Sequence, residues 1–240
     1  MELIMFNRVW FKDLAKEQIK PNLGPLALVL LIFLGISFAL GMVIEIGVLV
    51  GMAMDGGLES GGAVTALFSL IGTALMYIIL GPLLLGIQKV YLGLTHGETP
   101  KASDIFYAFS SSQLFWGAVR LYFLMSLFIA LWLLLFIVPG IIRSIDYMQA
   151  FYLLIENPEK TARECLKESI FLTRGHRGDI FVTQLSFILW SFTSMIPIVG
   201  VFIVYGYVYP YIMTTMANIH RFLLDEKYGN SPGFAPQEQY

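Results

Sequence analysis

Among the ionisable side chains that lie inside segments otherwise apolar enough for a lipid bilayer, three form one candidate group: Glu45, Arg143 and Asp146. Placing an ionised side chain at the centre of a membrane helix costs about 2.5–3.5 kcal/mol on insertion scales, so such groups usually face a bundle interior or an aqueous cavity. Glu45 and Arg143 are predicted at similar depth near the outer ends of their helices, and Arg143 and Asp146 share a helix face. Two interpretations fit: a polar pocket that opens outward, or an ion pair that holds helices together.

A second group of charges precedes a later apolar segment and consists of Arg174, His176 and Arg177. Three potential cations beside a helix end could bind a phosphate or a lipid headgroup. The same residues also fit the positive charge that marks the cytoplasmic boundary of a membrane helix, which requires no ligand.

No catalytic motif accompanies these charges. The sequence has no metalloprotease helix motif, no phosphate-binding loop and no nucleophile elbow. Cys165 is the single cysteine, and the three histidines are scattered along the chain, so neither a disulfide nor a metal site is indicated. We expect no enzymatic activity, no cofactor and no metal. Basic residues follow the predicted membrane boundaries and alternate with acids, so we expect no nucleic-acid binding.

The composition indicates whether these residues lie in water or in a membrane. The 240 residues are 57% hydrophobic and 13% charged, with a mean hydropathy of +0.73, whereas soluble domains carry about 25% charged residues. Continuous apolar runs such as Leu26–Val50 exceed the roughly 20 residues that cross a hydrocarbon core. A membrane β-barrel would instead show alternating segments of about 10 residues. The sequence therefore predicts an all-α polytopic membrane protein.

We predict six transmembrane helices in three hairpins, together with amphipathic interfacial helices. The spans lie at about 26–50, 63–91, 115–138, 141–155, 180–196 and 201–222. The fourth is short, and Pro139-Gly140 leaves open a single bent span over 115–155 with an interfacial end. In domain terms, we predict an amphipathic cytoplasmic helix at 1–20, a transmembrane domain at 21–225 and a disordered cytoplasmic tail at 226–240.

Two segments have the pattern of amphipathic helices in the membrane interface. In residues 3–20 the apolar face consists of Leu3, Phe6, Trp10 and Leu14. In residues 159–174 it consists of Ala162, Cys165, Leu166 and Ile170. A Glu159–Arg163 pair at a separation of four residues is expected to support the second helix.

Basic residues also predict the orientation, because cytoplasmic loops are enriched in Lys and Arg. They concentrate in the N-terminal segment, in residues 89–104 and 157–178, and near the C-terminal end. The loops predicted on the opposite side contain only Arg143 nearby. We therefore expect a multi-pass protein with both termini in the cytoplasm.

The run Ile-Val-Pro-Gly-Ile-Ile-Arg-Ser-Ile-Asp-Tyr at 137–147 is followed by Glu156-Asn157-Pro158, Ser169, Gly175-His176 and Pro210-Tyr211. With Gly81-Pro82, Gly86 and the 104–109 stretch, this order resembles the bacterial integral membrane proteins grouped as domain of unknown function 975. The likeness covers roughly residues 20–225. It implies a polytopic protein of the bacterial cytoplasmic (inner) membrane and supplies no catalytic residue. Arg174-Gly175-His176-Arg177 departs from the family's tendency toward Met-Lys-Gly-His-Lys, although charge is kept.

Two functions are consistent with these features. The first is a non-enzymatic accessory or structural membrane protein, whose partners are the bilayer and either an anionic lipid or another membrane protein. Crosslinking through Cys165 is then expected to capture such a partner. The alternative is a small-solute transporter or permease component that uses Glu45, Arg143 and Asp146 as its polar site.

Overall fold

The computed structural model describes residues 6–57, 62–191, 200 and 203–229, and within these ranges the chain is helical and contains no β-strand. The helices are α1 (Arg8–Ile19), α2 (Leu23–Met54), α3 (Ala63–Thr95), α4 (Ser112–Leu135), α5 (Ile137–Tyr147), α6 (Ala150–Glu156), α7 (Ala162–Thr173), α8 (Arg177–Ser191) and α9 (Tyr209–Tyr228). Short 3₁₀ helices occupy Lys20–Asn22 and Ala102–Ser110, and a π-helical turn at Val204–Val208 leads into α9. The predicted all-α class is confirmed.

Three stretches of helix are long and apolar enough to cross a membrane: α2 together with α1, α3 and α4. They coincide with the first three predicted spans. Their outer faces are apolar and uncovered, as at Phe38, Leu70 and Leu134, which are 71%, 68% and 83% exposed. Uncovered apolar faces of this extent are compatible with residence in a membrane.

The prediction of six spanning helices does not hold for the described residues, where three helices meet the criterion. The fourth predicted span is broken between α5 and α6, whose 11 and 7 residues extend about 16 and 10 Å against a hydrocarbon core of about 30 Å. The described part of α8 has 15 residues, and residues 192–199 and 201–202 lie outside the described ranges. Apolar composition alone did not reveal the break, because 141–155 contains no strong helix breaker.

Two prolines lie inside helices, and a chain break accompanies only one of them. Pro82 lies inside α3, which continues from Ala63 to Thr95. The turn before α5 occurs at Phe136, which is extended at φ −156° and ψ 137°. Pro139 therefore lies in the first turn of α5, where the missing amide hydrogen costs no helical hydrogen bond.

The second half of α3, from Gly81 to Thr95, forms the centre of the core and is largely buried. It packs on the 3₁₀ helix at Ala102–Ser110, and a Cβ added at Gly86 would collide with the backbone carbonyl of Ile105. Glycine at position 86 thus permits the close approach of the two backbones. Similarly, a Cβ at Gly51 would lie 2.9 Å from the Thr65 Cα, so the Gly47–Gly51 spacing serves packing of α2 on α3 within the chain.

Helix α1 uses its apolar face inside the protein. Its buried residues are Phe11, Ala15 and Ile19, and the Phe11 ring lies 5.3 Å from that of Phe222 in α9. The buried stripe differs from the predicted face, since Leu14 is only half-buried; Leu3 and residues 230–240 of the predicted tail lie outside the described residues.

Candidate functional site

Asp146, near the end of α5, is fully buried and accepts hydrogen bonds on both carboxylate oxygens. Arg177, the first residue of α8, donates from Nε to Oδ1 at 2.5 Å and from Nη2 to Oδ2 at 3.0 Å. Such a two-pronged pairing is the strongest geometry that arginine forms with a carboxylate. It ties the start of α8 to α5.

Two further donors complete the surroundings of the Asp146 carboxylate. Arg143 Nη1 donates to Oδ2 at 3.3 Å, and Thr173 Oγ1 lies 3.2 Å from Oδ1, where its one hydroxyl hydrogen is shared with the Ser169 carbonyl oxygen at 3.0 Å. The Arg143 guanidinium also lies 5.1 Å from the centre of the Trp132 ring in α4. A carboxylate has about four acceptor positions, so the two arginines occupy three of them and the Thr173 hydroxyl lies beside the fourth.

The backbone around Asp146 is held by α7 as well. Ser169 Oγ donates to the Asp146 carbonyl oxygen at 2.5 Å and accepts from the Gln149 amide at 3.2 Å. Ser169 therefore fixes the junction between α5 and α6. We call Arg143, Asp146, Ser169, Thr173 and Arg177 the Asp146 network. It joins α5, α7 and α8.

The structure unites parts of both predicted charge groups and leaves Glu45 apart. Arg143 and Asp146, from the first group, meet Arg177, from the second. Glu45 is exposed on α2 and forms no ion pair with any residue of the described ranges. Sequence reasoning missed Ser169 and Thr173, although they extend the apolar stripe of α7 at helical spacing, where a polar residue signals a buried hydrogen bond.

The other cations of the second group have separate surroundings. His176 Nε2 lies 2.8 Å from Glu226 Oε2 at the end of α9, and its ring stacks on Phe6 at 5.3 Å. Arg174 is exposed. Arg174, His176 and Arg177 therefore do not converge on one ligand position.

Helix α7 begins with a capping box between Thr161 and Glu164. The Thr161 amide and hydroxyl both donate to Glu164 Oε2 at 2.8 Å, and these hydrogen bonds hold the pKa of Glu164 below its usual range. Cys165 is fully buried, and burial raises the pKa of its thiol to about 11. The expectation that Cys165 would serve for crosslinking is therefore wrong, because the thiol is neither accessible nor ionised at neutral pH.

A groove of about 900 Å³ lies between α4 and the N-terminal end of α7. Its walls combine aromatic side chains with the guanidinium groups of Arg120 and Arg163. No group of three or more His, Cys, Asp or Glu residues with metal-binding geometry occurs in the part of the chain that the structure describes. The chemistry available in the groove is recognition of an anion attached to an apolar body.

Comparison with known proteins places the chain in a family. A family model described as "Protein of unknown function (DUF975)" matches residues 5–146 and 136–227. Because these matches cover most of the chain, the protein belongs to the DUF975 family, and the resemblance noted in the sequence is confirmed. No curated protein and no solved structure matches the chain.

Proposed function

We propose that the protein is a non-enzymatic accessory protein of the bacterial cytoplasmic membrane, which binds lipid or a membrane partner and does not carry a solute. The exposed apolar faces of α2, α3 and α4 support residence in the bilayer. Each of these three helices carries a single charged residue, whereas several charged residues cluster on α1, on α7 and on the last turns of α9, which suits contact with headgroups and water.

The observation that carries the accessory role is the occupied carboxylate of Asp146. A transport site must bind and release its solute, so its polar groups need capacity that the solute can take up. Three arginine N–H groups donate to Asp146, the Thr173 hydroxyl lies beside the remaining acceptor position, and the Asp146 side chain is fully buried. This arrangement favours a structural ion pair over the solute pocket, which remains the alternative function.

We further propose that both termini face the cytoplasm. The Phe6 ring, just before α1, lies 5.6 Å from Phe222 and 5.3 Å from His176. His176 in turn contacts Glu226 at the end of α9. The two ends of the described chain therefore lie close together, which supports placing them on the same side of the membrane.

Reconstitution into liposomes tests this function. The protein is expected to resist alkaline carbonate extraction and to float with the vesicles. Vesicles that contain the protein and are loaded with radiolabelled small solutes should leak no faster than equally loaded vesicles without protein. Asp146→Asn and Arg143→Gln should lower the thermal stability of the detergent-purified protein. Saturable solute flux that these two changes abolish, with thermal stability unaltered, would support the transporter instead.

A further inference from the structure

The groove between α4 and α7 is lined by both charged and apolar side chains. Trp116, Arg120 and Phe123 line it at positions i, i+4 and i+7 of α4, and therefore share one helix face. The opposite wall is the segment from Pro158 to Arg163, and Gln113 Nε2 donates to the Pro158 carbonyl oxygen at 3.1 Å to connect the two walls.

Arg120 and Arg163 are exposed and form neither an ion pair nor a hydrogen bond with the described residues. The sequence predicted Glu159 as the helical partner of Arg163. Because α7 begins only at Ala162, Glu159 precedes the helix and no such pair forms. Both guanidinium groups are therefore available to a ligand.

The remaining charges of the groove wall do not neutralise this pair of arginines. Lys160 Nζ is bound to Glu168 Oε2 at 2.6 Å, so this ion pair adds no net charge. Glu159 is the one carboxylate among the residues that line the groove. Among the lining residues, two unpaired arginines therefore face one glutamate, which favours an anion.

Arg120 lies one turn before Phe123, where the exposed apolar stripe of α4 begins. The stripe continues toward the α5 turn through Phe123, Leu127, Leu131 and Leu134, which are 46%, 39%, 48% and 83% exposed. From Phe123 to Leu134 a helix rises about 16 Å, close to one leaflet of a hydrocarbon core about 30 Å thick. Arg120 therefore lies where the headgroup of a lipid packed on this stripe would be.

We propose that the groove binds one anionic phospholipid, with its phosphate between Arg120 and Arg163 and an acyl chain along the α4 stripe. Arginine suits this role because its planar fork donates two hydrogen bonds to one phosphate, and Trp116 fits the interfacial depth that tryptophan prefers. The proposal rests on the membrane function above and gives it a defined site and ligand class.

Native mass spectrometry of the detergent-purified full chain tests the site, with phosphatidylglycerol, phosphatidylcholine and inorganic phosphate as probes. The wild-type protein should retain one phosphatidylglycerol in preference to phosphatidylcholine. Arg120→Gln combined with Arg163→Gln should weaken this binding by at least about tenfold, and Arg120→Lys should weaken it less. Arg174→Gln, which removes an exposed arginine outside the groove, is the matched control and should bind like the wild type.

The outcomes separate this site from the membrane function. Floating vesicles with no phosphatidylglycerol preference, or equal retention of phosphatidylglycerol by the double variant, would overturn the groove proposal alone. Arginine-dependent binding of inorganic phosphate that displaces the lipid would overturn the lipid assignment. If the wild-type protein fails to float with vesicles, the membrane function fails and the lipid site fails with it. Because the side chains of Arg120 and Arg163 are both exposed, the double variant should have the melting temperature of the wild type. The single Arg163→Gln variant provides a second test of phosphatidylglycerol binding.

Discussion

Replacing Arg177 should destabilise the protein more than replacing Asp146, although the two residues form one ion pair. Asp146 is fully buried, whereas the side chains of Arg177 and Arg143 are 38% and 31% exposed. In Asp146→Asn both arginines turn their charge toward water, and the new amide still accepts one hydrogen bond. In Arg177→Met the carboxylate stays buried with a single arginine contact, at 3.3 Å.

The magnitudes follow from this asymmetry. In Asp146→Asn the two arginines lose hydrogen bonds but reach solvent, so we expect the free energy of unfolding to fall by about 1–3 kcal/mol. Removal of one partner from a buried ion pair costs about 3–5 kcal/mol, which is our expectation for Arg177→Met. The variant that combines Asp146→Asn with Arg177→Met should lose about 1–3 kcal/mol less free energy of unfolding than the two single variants lose together. With both residues replaced, no buried carboxylate is left without its Arg177 partner.

The assay is unfolding in dodecyl maltoside with increasing SDS, followed by tryptophan fluorescence. Arg174→Met is the matched control, because Arg174 is exposed and lies three residues away; it should change the free energy of unfolding by less than about 0.5 kcal/mol. The reasoning is refuted if Arg177→Met behaves like this control, or if Asp146→Asn is the more damaging change.

Three further results are expected. Gly86→Ala should destabilise the fold by several degrees in melting temperature, because its methyl group meets the Ile105 carbonyl, whereas Gly35→Ala, which has open space, should raise the melting temperature by removing a flexible residue from a helix. Cys165 should react with maleimide only after unfolding at neutral pH, since burial raises its pKa to about 11; rapid labelling of the folded protein would contradict its burial. The lowered pKa of Glu164 stabilises the fold above the ordinary glutamate pKa of about 4.3, and this contribution is lost as the pH falls through the lower folded-state value. The difference in melting temperature between wild type and Glu164→Gln should therefore shrink in acid, and a constant difference would argue against the capping box.

The apolar helices could be predicted from the sequence because composition alone determines them. Predicted spans at 26–50 and 63–91 lie within α2 and α3, and 115–138 overlaps α4 with a shift of three residues. The shift arises because Ser111 caps α4 through its hydroxyl, with the Leu114 amide as donor at 3.1 Å, one turn before the apolar run begins. Local capping chemistry thus set boundaries that hydropathy could not.

The partners of Asp146 could be predicted only in part. Its pairing with Arg143 follows from helical spacing, but Arg177 lies 31 residues away, and nothing local distinguishes it from other arginines. The expected Glu45–Arg143 contact was inferred from depths counted along straight, separate spans. The break between α5 and α6 invalidates that count, because α7 then packs beside α5 and brings Thr173 to Asp146.

Bilayer exposure of α2, α3 and α4 is tested most directly by spin labels at Ile46, Leu70 and Leu127, whose side chains are 55%, 68% and 39% exposed. Each label is attached to a single cysteine in a Cys165→Ala background, and the protein is reconstituted into liposomes for power-saturation measurements. We predict that all three labels collide readily with dissolved oxygen and scarcely with a water-soluble nickel chelate, in contrast to a label at Gly56 in the turn after α2. Ready collision of the three helix labels with the nickel chelate would show that these faces meet water and would contradict the membrane assignment.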